Sequence, residues 1–374
     1  MLKKIKVITV VGTRPEIIRL SSIIKKLELH TNIDHILVHT GQNYDYELNQ
    51  IFFKDLELPQ PKYKIFSKST DSIITITEII KKVDQIIKKE KPDAFLILGD
   101  TNSCLSAISA KKNKIPIFHY EAGNRCYDEQ VPEEVNRKIV DQISDINLTY
   151  SNEAKQNLIR EGKHPSTIFN IGSPMLEVIN ANSKKIRKSK ILRTLKLKKN
   201  KFILCSFHRE ENVENEKRLV VFLELLNYLV KKYKIKILIS CHPRLKNKLK
   251  TTKIKKNIKI VKPLSFSDYI KLQKNSRLVI SDSGTISEET SILKFKSVNI
   301  RETHERHESM EEGTVPMTSF NFNQLINVVE SVMQNKDELI NTCSDYQKTN
   351  ISIIICRIIL SYINFTKKYI RKDS

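Results

Sequence analysis

Three carboxylates fall where strands should end. Asp100 closes the run AFLILGD (94–100), Glu121 lies in IPIFHYEAG (115–123), and Glu133 opens a Pro132-started helix that carries Arg137 one turn later. Carboxyl groups at the C-terminal ends of parallel strands face the edge where such sheets bind ligands, and they are suited to general acid–base work. Each has a plainer explanation alone: an N-cap for Asp100, and a surface ion pair for Glu133 and Arg137. Three carboxylates at the ends of neighbouring predicted strands point to proton-transfer chemistry.

Cations and anion cradles fall at the same kind of position. Gly12-Thr13-Arg14-Pro15-Glu16 joins the first strand to a helix whose free N–H groups, with the Arg14 guanidinium, suit a phosphate; a surface cap is the alternative for Arg14. Ser281-Asp282-Ser283-Gly284-Thr285 leads into a second helix start. There Ser283 and the N–H groups of 284–285 can cradle a diphosphate, and Glu289 can accept the hydroxyls of a ribose. A capping box explains the Ser-to-Glu spacing equally. His208 with Arg209, and His242 with Arg244, end the first two strands of the second half and suggest an anion site. The two histidines have no third ligand at zinc spacing, so no metal is expected. Neither a Walker loop nor GxGxxG is present, so neither NAD nor another cofactor is expected.

Short β-branched runs bounded by helical stretches position these residues. They lie at 7–12, 36–40, 94–100, 115–123 and 145–151, and again at 202–208, 235–242, 257–261, 277–284 and 297–302. Such runs predict parallel sheets buried on both faces. The fold class expected is α/β, with two doubly wound Rossmann-like domains facing across a cleft. The lysine-rich stretch 182–201 marks the boundary: an N-terminal domain at 1–181, a C-terminal domain at 182–355, and a helical tail at 356–374 packing back on the first domain. Six of the eight glycines follow a predicted strand, as a ligand cleft requires.

The chain of 374 residues is long enough for two cores, and its formal charge is +23. Fifty of the 65 basic residues are lysines scattered over helix faces and linkers, which describes a solvated surface better than a nucleic-acid interface. The field still favours an anionic substrate. No apolar run reaches the ~20 residues that span a bilayer, and the N-terminal apolar stretch runs into Gly12-Thr13-Arg14-Pro15 without a cleavage site. The six cysteines show no paired spacing. Reduced thiols in a cytoplasmic protein are the expectation.

Together GTRPEIIR, GDTNS, HYEAGNR, PEEVNR, HREEN and SDSGTISEE resemble the non-hydrolysing UDP-N-acetylglucosamine 2-epimerase family, in motif order from residue 7 to about 314. EAGNRCYD, VPEEVNRKIVD, CHPR and HERHESMEEG look most like its UDP-N-acetyl-L-fucosamine synthase branch, whose members act on a 6-deoxy-L-talose-type amino sugar for capsule or O-antigen. The resemblance implies a glycosyltransferase-B-like fold, a homodimer, and a UDP-N-acetylhexosamine as substrate. It places Arg14, His208, Ser283, Gly284 and Glu289 on UDP and Tyr269 near the uracil, with Asp100, Glu121 and Glu133 as acid–base groups beside Arg137. The usual lysine after GTRPE is Arg19 here, and Thr285 replaces a glycine. The implied route eliminates UDP to a 2-acetamidoglycal and re-adds it after protonation of the other C2 face. It calls for carboxyl groups raised towards neutrality. A UDP-N-acetylglucosamine/UDP-N-acetylmannosamine 2-epimerase is the near alternative, and a glycosyltransferase of the same fold the distant one.

Overall fold

A computed structural model of the chain describes residues 3–41, 46–67, 69, 71–129, 131–207, 209–241, 245, 248, 256–334 and 340–370. The chain forms two compact units, Met1–Ala181 with Ser344–Ser374, and Asn182–Cys343. Each is a parallel sheet flanked by helices.

The first sheet has the order β3-β2-β1-β4-β5-β6-β7. Its strands are β1 (Ile5–Val11), β2 (Ile33–His39), β3 (Tyr63–Lys64), β4 (Ala94–Leu98), β5 (Ile117–Tyr120), β6 (Ile146–Thr149) and β7 (Ile168–Asn170). Near-continuous β-branched runs such as IKVITVV are covered on both faces, as strands of a parallel sheet must be. Ile8, Val10, Ile36, Val38, Phe95 and Ile97 pack on the helix Ser72–Glu90. The helix Ile351–Phe365 packs on the helix Arg14–Glu28.

The second sheet has the order β10-β9-β8-β11-β12-β13. Its strands are β8 (Phe202–Phe207), β9 (Lys236–Cys241), β10 (Ile258–Val261), β11 (Leu278–Ser281), β12 (Ser297–Ile300) and β13 (Met317–Thr318). The period of two shows directly along β8. Ile203, Cys205 and Phe207 join one apolar cluster, while Phe202 and Leu204 join the other.

In each sheet the strand order reverses beside the first strand, between β1 and β4 and between β8 and β11. Ligands of open α/β sheets bind at such switch points. The chain re-enters the first unit at Ser344 rather than at 356. Asp345 fixes that crossing point, its carbonyl accepting from Ser173 N at 3.2 Å and its carboxylate from Asn170 at 3.3 Å.

Candidate active site

In the first unit, Gly99 turns the chain out of β4 at φ 75°, a left-handed conformation that favours glycine, and delivers Asp100 to the sheet edge. Arg137, from the helix Pro132–Ile143, donates to Asp100 Oδ2 through Nε at 3.0 Å and Nη2 at 2.5 Å. Asn136 on the same helix donates to the Asp100 carbonyl at 2.9 Å. One strand over, Glu121 follows β5 at φ 69°, a strained conformation for a side-chain-bearing residue and one found often at functional sites. Both of its carboxylate oxygens lie 2.6 Å from Arg19 Nη1. A Cβ on Gly99 would stand 3.5 Å from Glu121 Oε2, so the Glu121 carboxylate borders the Asp100 loop.

Asp100, Glu121, Arg19 and Arg137 therefore form one cluster. Arg19, which stands where the resemblance has a lysine, is turned onto Glu121. Glu133 lies exposed on the first helical turn, and the pairing with Arg137 belongs to its neighbour Glu134, fully buried, at 2.5 Å. The difference arises from the Cys126 loop, whose backbone N–H donates to Glu134 at 3.1 Å and draws that side chain inward. Burial opposes the Glu134 charge, but the Cys126 N–H and Arg137 more than offset it, holding the carboxyl below its ordinary value. Arg14 is half-buried at its helix start, with its guanidinium over the Phe52 ring at 5.8 Å.

A buried network holds these pieces. His119 on β5 reaches the Gly99 carbonyl with Nε2 and Asp141 with Nδ1, each at 2.9 Å, and Arg125 meets Asp141 at 2.7 Å. Burial raises the carboxyl of Glu16, which sequence reasoning left out of the site, to about 7. Its position in GTRPE, three residues after Thr13, is the capping-box spacing that could have drawn notice.

In the second unit the turn after β11 is bound to the segment after β8. Buried Asp282 accepts from Arg209 N at 2.9 Å and from Asn212 at 3.2 Å. Ser283 Oγ lies 3.0 Å from Thr285 Oγ1 at the start of the helix Ile286–Leu293. Glu289 accepts from the buried amide of Gln273 at 2.6 Å. Tyr269 sits one turn before Gln273 on the same helix, against an apolar cluster. A Cβ on Gly284 would stand 2.4 Å from Glu305 and 3.3 Å from Arg301 Nη1, so these two side chains, paired with each other at 2.9 Å, border the Ser283–Thr285 turn. Neither was singled out from sequence, because both lie in the irregular segment between β12 and the helix His307–Glu311, where no periodicity marks a pair. His208 and His242 lie outside the described residues.

The sequence profile of a family described as UDP-N-acetylglucosamine 2-epimerase matches residues 25–360. The UDP-N-acetylglucosamine 2-epimerase of Methanocaldococcus jannaschii is 36% identical over 341 residues, covering 88% of this chain and 93% of its own. The chain belongs to the UDP-N-acetylglucosamine 2-epimerase family. It is a UDP-sugar 2-epimerase, an isomerase. The solved UDP-N-acetylglucosamine 2-epimerase from Rickettsia bellii is 44% identical with a TM-score of 0.91, covering 99% of this chain and 100% of that one. The M. jannaschii enzyme in complex with UDP-GlcNAc and UDP is 35% identical with a TM-score of 0.87, covering 96% and 100%. A UDP-2,3-diacetamido-2,3-dideoxy-D-glucuronate 2-epimerase of Pseudomonas aeruginosa is 31% identical, covering 80% of this chain and 84% of its own. Among the described residues no helix is long and apolar enough to cross a membrane.

Within this epimerase the raised Glu16 carboxyl gives stability a pH dependence. Its folded value of about 7 lies above the ordinary 4.5, so the folded chain holds a proton that the unfolded chain releases between those values. Stability from this group is full below the ordinary value and falls as pH rises through about 7, by up to ~3 kcal/mol. Thermal melts of the Glu16→Gln variant should lose that decline. A wild-type-like decline in the variant would assign the effect to another group.

Proposed function

We propose that the enzyme inverts C2 of a UDP-N-acetylhexosamine by anti elimination of UDP to a 2-acetamidoglycal, followed by re-addition. The substrate that the motifs favour is a 6-deoxy-L-talose-type amino sugar, giving UDP-N-acetyl-L-fucosamine for capsule or O-antigen synthesis. The observation that carries the mechanism is the pair of carboxylates, Asp100 and Glu121, at the ends of the adjacent strands β4 and β5, each held by its own arginine. The C2 proton is barely acidic because no carbonyl adjoins it. A carboxylate takes it as the C1–O bond breaks; the C2–H electron pair becomes the C1=C2 bond, and the C1–O pair leaves on the diphosphate. A carboxyl group on the opposite face then returns a proton to C2 as UDP re-adds.

Asp100, Glu121 and the exposed Glu133 supply these proton-transfer groups, and His208 with Arg14 neutralises the departing diphosphate. Arg19 and Arg137 orient the carboxylates. His242, Ser283 and Gly284 hold phosphate, Glu289 the ribose and Tyr269 the uracil. The working form is a cytoplasmic homodimer. A second reading, interconversion of UDP-N-acetylglucosamine and UDP-N-acetylmannosamine, is favoured by the names of the M. jannaschii and R. bellii relatives.

Proton NMR of the enzyme with each candidate UDP-sugar in deuterated water tests both. The expected result is loss of the H2 signal, a new anomeric resonance and no free sugar, unchanged by chelator and without added NAD. Retention of H2 with every sugar would overturn the mechanism. Turnover lost in EDTA and restored by a divalent ion would overturn its independence of metal.

A further inference from the structure

Glu16 uses its two carboxylate oxygens on two different loops. Oε2 accepts from the backbone N–H groups of Gly12 at 2.5 Å and Thr13 at 2.8 Å, which suffices to cap the helix Arg14–Glu28. Oε1 accepts from the hydroxyl of Thr101, 85 positions further on and next to Asp100. The Thr101 hydroxyl in turn accepts from Ser103 N at 3.3 Å, so its proton and one of its two lone pairs are committed.

We propose that Glu16 is a positioning residue for Asp100, clamping the loop after β1 that carries Arg14 to the loop after β4 that carries Asp100, through Thr101. This rests on the reading of Asp100 as an acid–base group. Beyond Thr101, Thr40 after β2 bonds Ser103 at 2.8 Å, while Gly99 and Asp100 themselves are gripped from the β5 side. His119 meets the Gly99 carbonyl, while Asn136 and Arg137 hold the backbone and side chain of Asp100. Glu16 supplies the grip from β1, so Asp100 is fixed from two directions. A cap alone does not require a buried carboxyl, since exposed caps serve as well. Here burial pushes the group up to about 7, a penalty of the kind that functional sites retain.

The test is a set of variants read by steady-state kinetics and by amide hydrogen exchange at residues 99–103. Thr101→Val removes the clamp and leaves the Gly12 and Thr13 bonds intact. It should lower kcat by about 10- to 100-fold, as a displaced reacting group does, with KM within about twofold, and should speed exchange at 99–103. Thr101→Ser should restore both readouts. Glu16→Gln keeps an acceptor for Gly12 and Thr13 and a donor for the Thr101 oxygen, and should retain most of the kcat that Glu16→Ala loses. A Thr101→Val variant with wild-type kcat, or a Thr101→Ser variant as slow as it, would overturn the proposal. So would Glu16→Gln as slow as Glu16→Ala, which would make the residue itself a proton donor or acceptor. Unchanged exchange in Thr101→Val overturns the clamp even where wild-type enzyme turns over none of the sugars offered, the result that overturns the proposed function instead.

Discussion

Turnover should fall at least ~10²-fold in Asp100→Asn and in Glu121→Gln, the loss expected when a general acid or base is removed. The two variants should differ in stability. Asp100 keeps about a quarter of its side chain exposed, so the amide can be solvated and the melting temperature should shift little. Glu121 and Arg19 are both buried, and the amide leaves the Arg19 guanidinium without the carboxylate that meets it at 2.6 Å. Breaking a buried pair from one side costs about 3–5 kcal/mol, so Glu121→Gln should melt earlier as well as turn over slowly. Calorimetric titration of UDP separates chemistry from folding: both variants should bind UDP at temperatures where they remain folded. Near-wild-type rates in either variant would return that residue to a structural role.

Arg137→Met should be damaging in two separable ways. The guanidinium bridges Asp100 to Glu134, and Glu134 is fully buried, so its removal strands a charge that solvent does not reach. A stability loss of about 3–5 kcal/mol is expected, together with a fall in turnover as Asp100 loses its orientation. Adding Glu134→Gln removes the stranded charge while leaving Asp100 unheld. The double variant should therefore recover most of the stability and little of the turnover, a coupling that a double-mutant cycle measures directly. Recovery of turnover in step with stability would mean that Arg137 acts only as a brace for its helix.

The strands that carry the site were legible because their signal is local. A run such as AFLIL can be buried on both faces only inside a parallel sheet, so β1, β2, β4, β5 and β6, and then β8 to β12, were readable with their polar endings. The strands of two or three residues, β3, β7 and β13, were not, because each exists through pairing at a sheet edge and not through its own pattern. The positions of Asp100 and Glu121 at the sheet edge were legible for the same reason as their strands: both are polar residues ending an apolar run.

Helical periodicity, by contrast, allowed Arg137 either Glu133 at i−4 or Glu134 at i−3. The loop packed against that helix, through the N–H groups of Cys126 and Tyr127, draws Glu134 inward onto Arg137. The pairing of Arg19 with Glu121 spans 102 positions, and that of Glu16 with Thr101 spans 85. In the second unit the approach of Glu305 to Gly284 depends on where the segment after β12 lies beside the turn after β11, and that of Gln273 to Glu289 on how two helices settle on a sheet. Sequence spacing reports which residues share a strand end or a helix face. Which partner neutralises a buried charge is set by whichever donor the tertiary packing brings within about 3 Å, and for this enzyme that decision was made by the folded chain alone.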